Sequence, residues 1–555
     1  TELRRRKCTG SRTSKSNVIT FDEIVLGRYR CSAVELWRLG KQRYCIKFCI
    51  IVSMKRTIPT TMASQHPDHA GKPYWNKKEF ISTRKEVQEC FLTFSELGIS
   101  EYKWDWEGKF VDESVVDRLL SEHFEYFQKH PLGREKFLTF RLPNPKVETE
   151  FRLGRAVMGI LGAAGLAKQI GLPTPPLFEV IVPMVESASE MIAIEEAFHE
   201  IANLKHQLYN FHDGILKHIE VIPLFEKTST IMHSDRILKE YLALHKKAFG
   251  TKPVSMRPYV ARSDPALNSG LVPTVLAIKV ALSRYDTFAK EHEVALYPII
   301  GSACLPFRGG LTPYTVKQFS EEYAGIRTAL HQSAFRYDYP LPDVMDAVGE
   351  LAALLPKGKS QNVSEKEETQ LREIIQPFEH YYRSTIEAIA PVINDVALHI
   401  PKRRERVQHV GLFGYSRGVG KVKLPRAITF TASLYSLGVP PELIGTGRGL
   451  VQAKKQGNIE LMEKYYIHLK DDLRRAGRFF QRDALEMLKA QSAVWESVEE
   501  DIQGIEEYFG EELGPKTAEE KEHARLISVI VTNIDNLSAM TEQVHQAALL
   551  RKSLG

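Results

Sequence analysis

The stretches FEVIVPMVES at residues 178–187 and IEVIPLFEK at residues 219–227 follow one pattern. Each is a short run of Val, Ile, Leu and Phe that contains a proline and ends in polar or charged residues. Continuous apolar runs of this length are typical of strands that are buried on both faces of a parallel sheet. The segment between them repeats apolar residues at helical intervals, and it begins with Ser187 and Glu190 at the spacing of a capping box. The two stretches therefore predict a strand–helix–strand unit.

Three more runs extend this pattern along the chain: KFLTFRLPNP (136–145), KPVSMRPYVARSD (252–264) and LYPIIGSACLPFRGG (296–310). Charged residues at the ends of the five runs are separated by 45, 40, 38 and 44 residues, the length of one strand and one helix: Arg141, Glu186, Glu226, Asp264 and Arg308. Repeated units of this kind predict an α/β barrel or a doubly wound sheet. In a barrel, the carboxyl ends of the strands meet at one face, so the five charges would line a single pocket.

A charged residue at the end of a strand is often only the first solvated position. Five such residues in register favour a functional site instead. A pocket that combines carboxylates with guanidinium groups suits a divalent cation together with a doubly anionic, phosphorylated substrate.

The positive charge of the chain is confined to its beginning. Of the 555 residues, 75 are Lys or Arg and 69 are Asp or Glu, but residues 1–53 hold 12 basic residues against 4 acidic ones. The remaining residues carry 63 basic and 65 acidic side chains and are close to neutral. This balance argues against a protein that binds nucleic acid.

Residues 1–53 also differ in cysteine content, since they hold four of the six cysteines. Cys90 and Cys304 alone remain in the body, as expected of a reduced, cytoplasmic protein. The apolar run CIIVS (49–53) is too short to span a membrane. We predict that residues 1–53 are a disordered extension, or an upstream segment joined to the frame by start-site choice. Met54 is then the expected natural start, and residues 54–555 form one catalytic unit.

The pattern changes beyond residue 340. Residues 361–400 and 454–550 are charged and mostly helical, and a Gly- and Lys-rich stretch (410–450) lies between them. This stretch lacks the spacing of a nucleotide-binding phosphate loop. It remains a candidate anion-handling loop, with Arg417 and Arg426 as the candidate ligands.

Six strings together resemble the archaeal-type phosphoenolpyruvate carboxylases across essentially all of residues 54–555. They are TMASQHPDH, PLFEK, RPYVARSD, PFRGGLTP, QSAFRYDYP and GYSRGVGKVKLPRAITFTASLYSLGVPPELIG. The expected fold is a TIM-type (β/α)8 barrel with large additional helical insertions and a mostly helical C-terminal part. The resemblance implies that phosphoenolpyruvate and bicarbonate are converted to oxaloacetate and phosphate, through carboxyphosphate and the enolate of pyruvate.

The resemblance also implies roles for individual residues. Glu226 and Asp264 match the metal-binding acids, which would hold Mg²⁺ or Mn²⁺. Glu186 is a third acid, for which a role beside Ser187 at a helix entry is an equal alternative. His66 is similar to the family's essential histidine, which would accept the carboxyphosphate proton. His69 has no such support, and we expect it to be solvated.

Several arginines complete the implied site. Arg308, followed by Gly309 and Gly310, resembles a phosphate-binding arginine in a loop whose glycines let the backbone approach an anion. Arg426 matches a second arginine that holds phosphate or bicarbonate. Three further arginines are substrate-binding candidates, the last with a structural role as an equal alternative: Arg141, Arg417 and Arg336.

The chain departs from the longer branch of the family at two site positions. Tyr314 stands where that branch has a second loop arginine, and Leu267 stands where it has a lysine after the metal-binding aspartate. The chain also ends in RKSLG instead of that branch's C-terminal motif, so these departures leave allosteric control by aspartate or acetyl-CoA and the closure of the site open.

Two other hypotheses compete with the carboxylase. One is a related barrel lyase that acts on a keto acid without phosphate, and the other is an inactive assembly or regulatory protein on a barrel scaffold. The surplus of arginines argues against the first, and the complete set of His, acids and arginines argues against the second. The resemblance further implies a homotetramer. From charge, cysteine content and the lack of a long apolar segment, we expect a cytoplasmic protein that contacts neither nucleic acid nor membrane.

Overall fold

A computed structural model describes residues 57–146, 148, 150–206, 209–210, 216–405, 417–419 and 422–555. Residues 58–555 form one compact unit. The predicted extension at residues 1–53 and the predicted start at Met54 lie outside the described residues and stay predictions. No helix among the described residues is long and apolar enough to cross a membrane.

Eight parallel strands close into a barrel, and they follow each other around it in chain order. They are β1 (Thr61–Ser64), β2 (Glu101–Asp105), β3 (Phe137–Arg141), β4 (Glu179–Val182), β7 (Glu220–Phe225), β9 (Tyr259–Val260), β11 (Ile299–Gly301) and β12 (Thr328–His331). The first and last strands pair in parallel, with Thr61 opposite Ala329. This closure excludes the doubly wound sheet and confirms the TIM-type barrel.

Helices connect the barrel strands on the outside. They are α1 (Thr83–Ser95), α2 (Val115–Glu122), α3 (Phe124–Lys129), α4 (Glu150–Gln169), α5 (Ala188–Ala202), α6 (Thr228–Met232), α7 (Ser234–Phe249), α8 (Ser263–Ser269), α9 (Leu271–His292), α10 (Val316–Glu322), α11 (Ser333–Tyr337) and α12 (Leu341–Leu354). Helix α5 begins after Ser187 as predicted, but the capping box is incomplete. The carboxylate of Glu190 accepts from the Glu186 N–H and the Ser187 hydroxyl, at 3.1 and 3.2 Å.

The predicted helical C-terminal part is present. It consists of α13 (Glu365–Ala397), α14 (Ala427–Ser436), α15 (Thr446–Lys455), α16 (Ile459–Tyr465), α17 (Leu469–Gly477), α18 (Arg482–Gln491), α19 (Glu496–Phe509), α20 (Ala518–Thr532) and α21 (Thr541–Leu550). Among the described residues, three pairs of short strands lie outside the barrel: β5 (Lys205–His206) with β6 (Tyr209–Asn210), β8 (Ser255–Met256) with β10 (Ala295–Leu296), and β13 (Arg417–Val419) with β14 (Val422–Leu424).

The barrel interior is polar at its amino-terminal end and apolar above it. The buried guanidinium of Arg257 crosses the interior and contacts Glu101 at 2.6 Å and Glu179 at 2.8 Å. A separate apolar cluster fills the next layer: Met62, Ile181, Ile222, Leu224, Tyr259, Ala261, Ile299 and Leu330. A filled interior of this kind leaves the carboxyl ends of the strands as the place for a site.

The sequence EYKWD of β2 shows how the barrel uses the two faces of a strand. Tyr102 and Trp104 belong to the large apolar cluster that packs the helices against the barrel. Glu101 and Asp105 instead contact Arg257 and Arg141 inside the barrel. Because side chains alternate between the two faces of a strand, Lys103 also projects into the interior.

The five predicted runs all contribute barrel strands. Arg141 ends β3, and Glu226 follows β7 directly. Glu186 and Asp264 each lie four residues beyond a strand, and Arg308 lies seven residues beyond β11 in a short 3₁₀ turn (Pro306–Arg308). The register of five equivalent strand ends is therefore only approximate.

Candidate active site

His66 lies two residues beyond the end of β1, at the carboxyl face of the barrel. Its Nδ1 is 2.7 Å from the hydroxyl of Ser64, the last residue of that strand. Burial lowers the pKa of His66 well below its ordinary value, and four cations add to this effect, in decreasing order Lys103, Arg141, Lys109 and Arg308. The imidazole is therefore neutral at neutral pH, as a general base must be.

The rest of the QHPDH string contacts the first residues of helix α11. The buried carboxylate of Asp68 accepts from the Ala334 N–H at 2.9 Å. The hydroxyl of Ser333 contacts the His66 carbonyl and lies 2.8 Å from Nδ1 of His69. These contacts fix the backbone on both sides of His66.

The prediction that His69 is solvated is wrong. The side chain is fully buried, with Nδ1 on Ser333 and Nε2 2.7 Å from the Glu79 carbonyl. Burial, with Arg404 adding to it, lowers the pKa of His69 to about 3. His69 is therefore a neutral structural residue of the loop, satisfied at both nitrogens.

Arg141 is held rigidly on the side of the pocket formed by β2 and β3. Its guanidinium donates to both carboxylate oxygens of Asp105, each at 2.7 Å, and lies 2.5 Å from Glu107. Burial acts to raise the pKa of Asp105, but Arg141, Lys103 and Lys109 hold it well below its ordinary value. The result is a compact group of fixed charges beside His66.

Arg308 brings a second buried guanidinium into the site. It donates to Gln332 at 2.5 Å and to Ser263 at 3.2 Å, and it contacts the Gly555 carbonyl. The Asp68 carboxylate is 3.7 Å away. Arg308 thus links the turn after β11 to the loop that carries His66.

The two glycines after Arg308 shape this turn. Gly309 has φ +121°, and a Cβ there would lie 2.8 Å from the Ser302 Cβ. The Gly309 and Gly310 N–H groups donate to the carbonyls of Pro306 and Leu305, at 3.1 and 3.0 Å. The predicted close approach of these glycines is therefore to protein atoms, with both N–H groups engaged inside the turn.

Glu226 and Asp264 follow the neighbouring strands β7 and β9. Glu226 is buried, and its charge acts on Lys103 and Arg141. Within the described ranges, no group of three or more His, Cys, Asp and Glu side chains is placed to hold a metal. Two hard carboxylate donors nevertheless fit Mg²⁺, which commonly takes one or two protein carboxylates and completes its shell with water and substrate oxygens.

Glu186 differs from Glu226 in being substantially exposed. Its carboxylate contacts the Lys227 ammonium and lies 3.8 Å from the Lys146 ammonium, and all three side chains are substantially exposed. The Lys227 contact and the Lys227 charge lower its pKa. Its surroundings match the alternative role near the entry of helix α5.

Arg426 precedes helix α14 and reaches the loop after β2. A Cβ built on Gly108, which has φ +62°, would lie 2.3 Å from Nη2 of Arg426. The absence of a side chain at residue 108 thus admits the guanidinium. Arg417 lies in β13, and its side chain is outside the part that the structure describes.

Arg336 contacts the end of strand β1 and the helix α1 outside the barrel. It donates to the Ser64 carbonyl at 2.6 Å and to Thr93 at 3.1 Å, and lies 3.2 Å from Glu89.

Two residues depart from the longer branch of the family, Leu267 and Tyr314. Leu267 is fully buried in the core, and Tyr314 is exposed, with its hydroxyl 2.7 Å from Asp343. Neither residue brings a charge to the pocket.

Four charged residues near His66 were missed at the level of sequence: Lys103, Asp105, Glu107 and Lys109. They share one signal, because EYKWDWEGK (101–109) alternates charged and aromatic residues up to Glu107. In a barrel strand this alternation places the charges inside. The described site therefore brings together the neutral imidazole of His66, buried carboxylates and several fixed cations.

This fold and this site define a (β/α)8-barrel enzyme that acts on anionic substrates. Residues 58–555 match the family described as phosphoenolpyruvate carboxylase. The chain is 40% identical over 503 residues to a phosphoenolpyruvate carboxylase of Leuconostoc mesenteroides, which covers 90% of this chain and 99% of the relative. It is 38% identical over 519 residues to that of Metallosphaera sedula, covering 90% and 100%.

A phosphoenolpyruvate carboxylase of Pyrococcus horikoshii is 39% identical over 433 residues, which cover 76% of this chain and 88% of the relative. The chain belongs to the phosphoenolpyruvate carboxylase family. The predicted archaeal-type branch, the predicted function and the assignment to the carboxy-lyases are thereby confirmed. The inactive scaffold and the phosphate-free lyase lose their support.

Proposed function

We propose that the mouth of the barrel joins bicarbonate to phosphoenolpyruvate and releases oxaloacetate and phosphate. The observation that carries the proposal is the neutral imidazole of His66 among four cations. Two anionic substrates need positive charge to be held together, and proton transfer needs a base that is unprotonated at neutral pH. One cluster of side chains supports both requirements.

The proposed reaction has three steps. A bicarbonate oxygen attacks the phosphorus, and the bond from phosphorus to the enol oxygen breaks, giving carboxyphosphate and the enolate of pyruvate. Carboxyphosphate loses its proton and separates into carbon dioxide and phosphate. The enolate carbon then attacks carbon dioxide and forms oxaloacetate.

We assign the proton transfer to His66. Because Nδ1 lies on the Ser64 hydroxyl, the tautomer with the proton on Nδ1 donates to Ser64 and leaves the lone pair of Nε2 for carboxyphosphate. The imidazolium that forms then attracts the departing phosphate. Arg308 and Arg426 are assigned to phosphate or bicarbonate oxygens, with Gly309 and Gly310 shaping the loop.

The remaining arginines have less direct roles in this proposal. Arg141 supplies a positive charge, and its two carboxylate partners hold the guanidinium in place. The contacts of Arg336 favour the structural alternative, in which it supports strand β1 below Ser64. Arg417 stays a candidate for substrate binding.

A divalent cation, Mg²⁺ or Mn²⁺, would be held by Glu226 and Asp264. When bound, it supplies positive charge for the oxygens of the substrate and stabilises the developing enolate. Two observations support this assignment: the carboxylate of Glu226 is buried, and the strand that it follows is next to the strand before Asp264.

We also propose that the protein is a homotetramer in which helices outside the barrel make the contacts. Light scattering of the purified protein tests this oligomeric state.

An oxaloacetate assay on the full chain tests the carboxylase proposal. The assay contains phosphoenolpyruvate and Mg²⁺, with bicarbonate supplied or withheld, and compares wild type with His66→Asn. We expect product only with bicarbonate, and a rate in the variant at least about 100-fold lower. The matched control is His380→Asn on the exposed face of α13, which should keep the wild-type rate.

The two possible failures of this test differ. Folded wild type that makes no oxaloacetate overturns the proposed activity. An active wild type with a fully active His66→Asn variant keeps the activity and overturns the assignment of the base.

A further inference from the structure

Lys103 is the middle residue of β2 and lies inside the barrel. Only 1% of it is exposed. Its neighbours Tyr102 and Trp104 pack outward, whereas Glu101 and Asp105 bind arginines in the interior. The alternation of the strand therefore fixes the direction of the lysine side chain.

The register of the sheet places Lys103 beside the histidine. Lys103 pairs with Ser64 across strands β1 and β2, and paired residues of parallel strands project to the same side. Ser64 in turn contacts His66. Among the four cations that lower the pKa of His66, Lys103 has the largest effect.

The same lysine faces the acids of the pocket. Five titratable groups from four strands or strand ends interact electrostatically with it: Asp105 and Glu107 from β2 and its loop, Arg141 from β3, Glu226 after β7, and His66 after β1. Lys103 is thus close enough to both His66 and Glu226 for their charges to interact with its own. Burial and then Arg141 lower the pKa of Lys103 to about 7, against the opposing effect of the three carboxylates.

The ammonium group has no direct partner in the described part of the chain, either by hydrogen bond or by ion pair. Other buried lysines do: Lys109 donates to the Gln65 carbonyl, and Lys279 lies 2.7 Å from Glu322. A buried and unpaired charge is unfavourable in a folded protein. A ligand that supplies the missing anion removes this penalty.

We propose that Lys103 is a substrate-binding residue whose ammonium group binds an anionic oxygen of phosphoenolpyruvate or bicarbonate, inside the barrel beside the strand end that carries His66. This inference rests on the proposed carboxylase function and adds a ligand-binding residue to it. The ammonium is a compact charge with three donors, which suits a single anionic oxygen atom.

The test compares wild type with Lys103→Met, which keeps the length of the side chain and removes its charge. Steady-state kinetics give KM for phosphoenolpyruvate and for bicarbonate separately. Calorimetric titration with phosphoenolpyruvate in the absence of bicarbonate gives binding without turnover. The control is Lys136→Met, the same change beside β3 at the opposite end of the barrel, where the ammonium donates to the Ile99 carbonyl.

We expect KM or Kd to rise at least tenfold for one of the two substrates, which identifies the oxygen that Lys103 binds. The acidic limb of the pH profile of kcat/KM should also move to higher pH, because the pKa of His66 rises when the nearby charge is lost. The thermal midpoint should not fall, since no ion pair is broken. Lys136→Met should stay within twofold of wild type.

Changes below threefold for both substrates in a folded Lys103→Met variant overturn the proposal. If the wild type itself makes no oxaloacetate, the carboxylase function fails, but the titration with phosphoenolpyruvate still decides whether Lys103 binds that anion. The two failures are therefore distinguishable.

Discussion

The hydroxyl of Ser64 lies 2.7 Å from Nδ1 of His66, and the two residues belong to the end of one strand and the loop that follows it. Ser64 is fully buried and its carbonyl is held by Arg336. The partner that orients the imidazole is thus fixed by the barrel itself.

Removal of this hydroxyl should weaken catalysis without weakening substrate binding. We expect Ser64→Ala to lower kcat about tenfold, the loss expected for one hydrogen bond that orients a reacting group, with KM within twofold. Ser64→Thr, which keeps a hydroxyl, should restore most of the rate. Steady-state kinetics provide the check, with Ser100→Ala at the other end of the barrel as the control. Equal kcat in wild type and Ser64→Ala would contradict the role.

Gly108 should be needed for Arg426 and not only for the turn. Gly108→Ala places a Cβ 2.3 Å from Nη2 of Arg426, whereas Gly98→Ala has a similar φ of +68° and meets nothing within 4 Å. Both variants should lose about 1–2 kcal/mol of stability from the left-handed backbone. Only Gly108→Ala should also lose at least about tenfold in kcat/KM, a loss of about 1.4 kcal/mol in transition-state stabilisation. Equal kcat/KM values in the two variants would show that Gly108 is not needed to accommodate Arg426.

The acids after β7 and β9 should control cation affinity. Glu226→Gln is expected to raise the Kd for Mn²⁺ at least about tenfold, because a charged oxygen donor is lost. Glu186→Gln, whose carboxylate contacts surface lysines, should leave the Kd within twofold. Paramagnetic titration of Mn²⁺ measures both values directly. The assignment fails if the Glu186 variant alone binds the ion more weakly.

Burial of His69 predicts a loss of stability in acid. Its pKa is about 3 in the folded chain, against about 6.5 in an unfolded one, so the unfolded state binds the extra proton between these values. The free energy of unfolding should therefore fall as pH drops below 6.5, by up to about 1.4 kcal/mol per unit for this one group. Urea unfolding at pH 7 and pH 5.5 should show a smaller decrease for His69→Gln than for wild type. An equal decrease would assign the acid sensitivity to other groups.

Long apolar runs predicted several strands of the barrel, whereas short strands and strands with charged residues were not predicted from the sequence. The segments of β4 and β7 are rich in Val and Ile, and both were predicted. β1, β2 and β12 were not, because TMAS is short and EYKWD carries charges that interrupt an apolar pattern. A charged residue inside a barrel is favourable only with partners from other strands, and those partners are distant in sequence.

The same physics limited the prediction of the site. Glu226 and Asp264 follow β7 and β9, whose strands the local apolar pattern predicted. His66 follows β1, which that pattern did not predict, and only the QHPDH string pointed to it. The burial of His69 depends on Ser333, which lies 264 residues away. The engagement of both glycine N–H groups after Arg308 likewise depends on a turn that composition does not specify.

Because Thr61 pairs with Ala329, the barrel of a nascent chain closes only after both strands have been synthesised. A ribosome needs roughly 15 to 50 s to add the residues between these partners. During that interval β1 has one edge without its final neighbour, and an open strand edge is a template for pairing with other chains. We expect ribosome-bound chains that end before residue 328 to be digested by protease within the β1 region, and chains that extend well beyond β12 to resist.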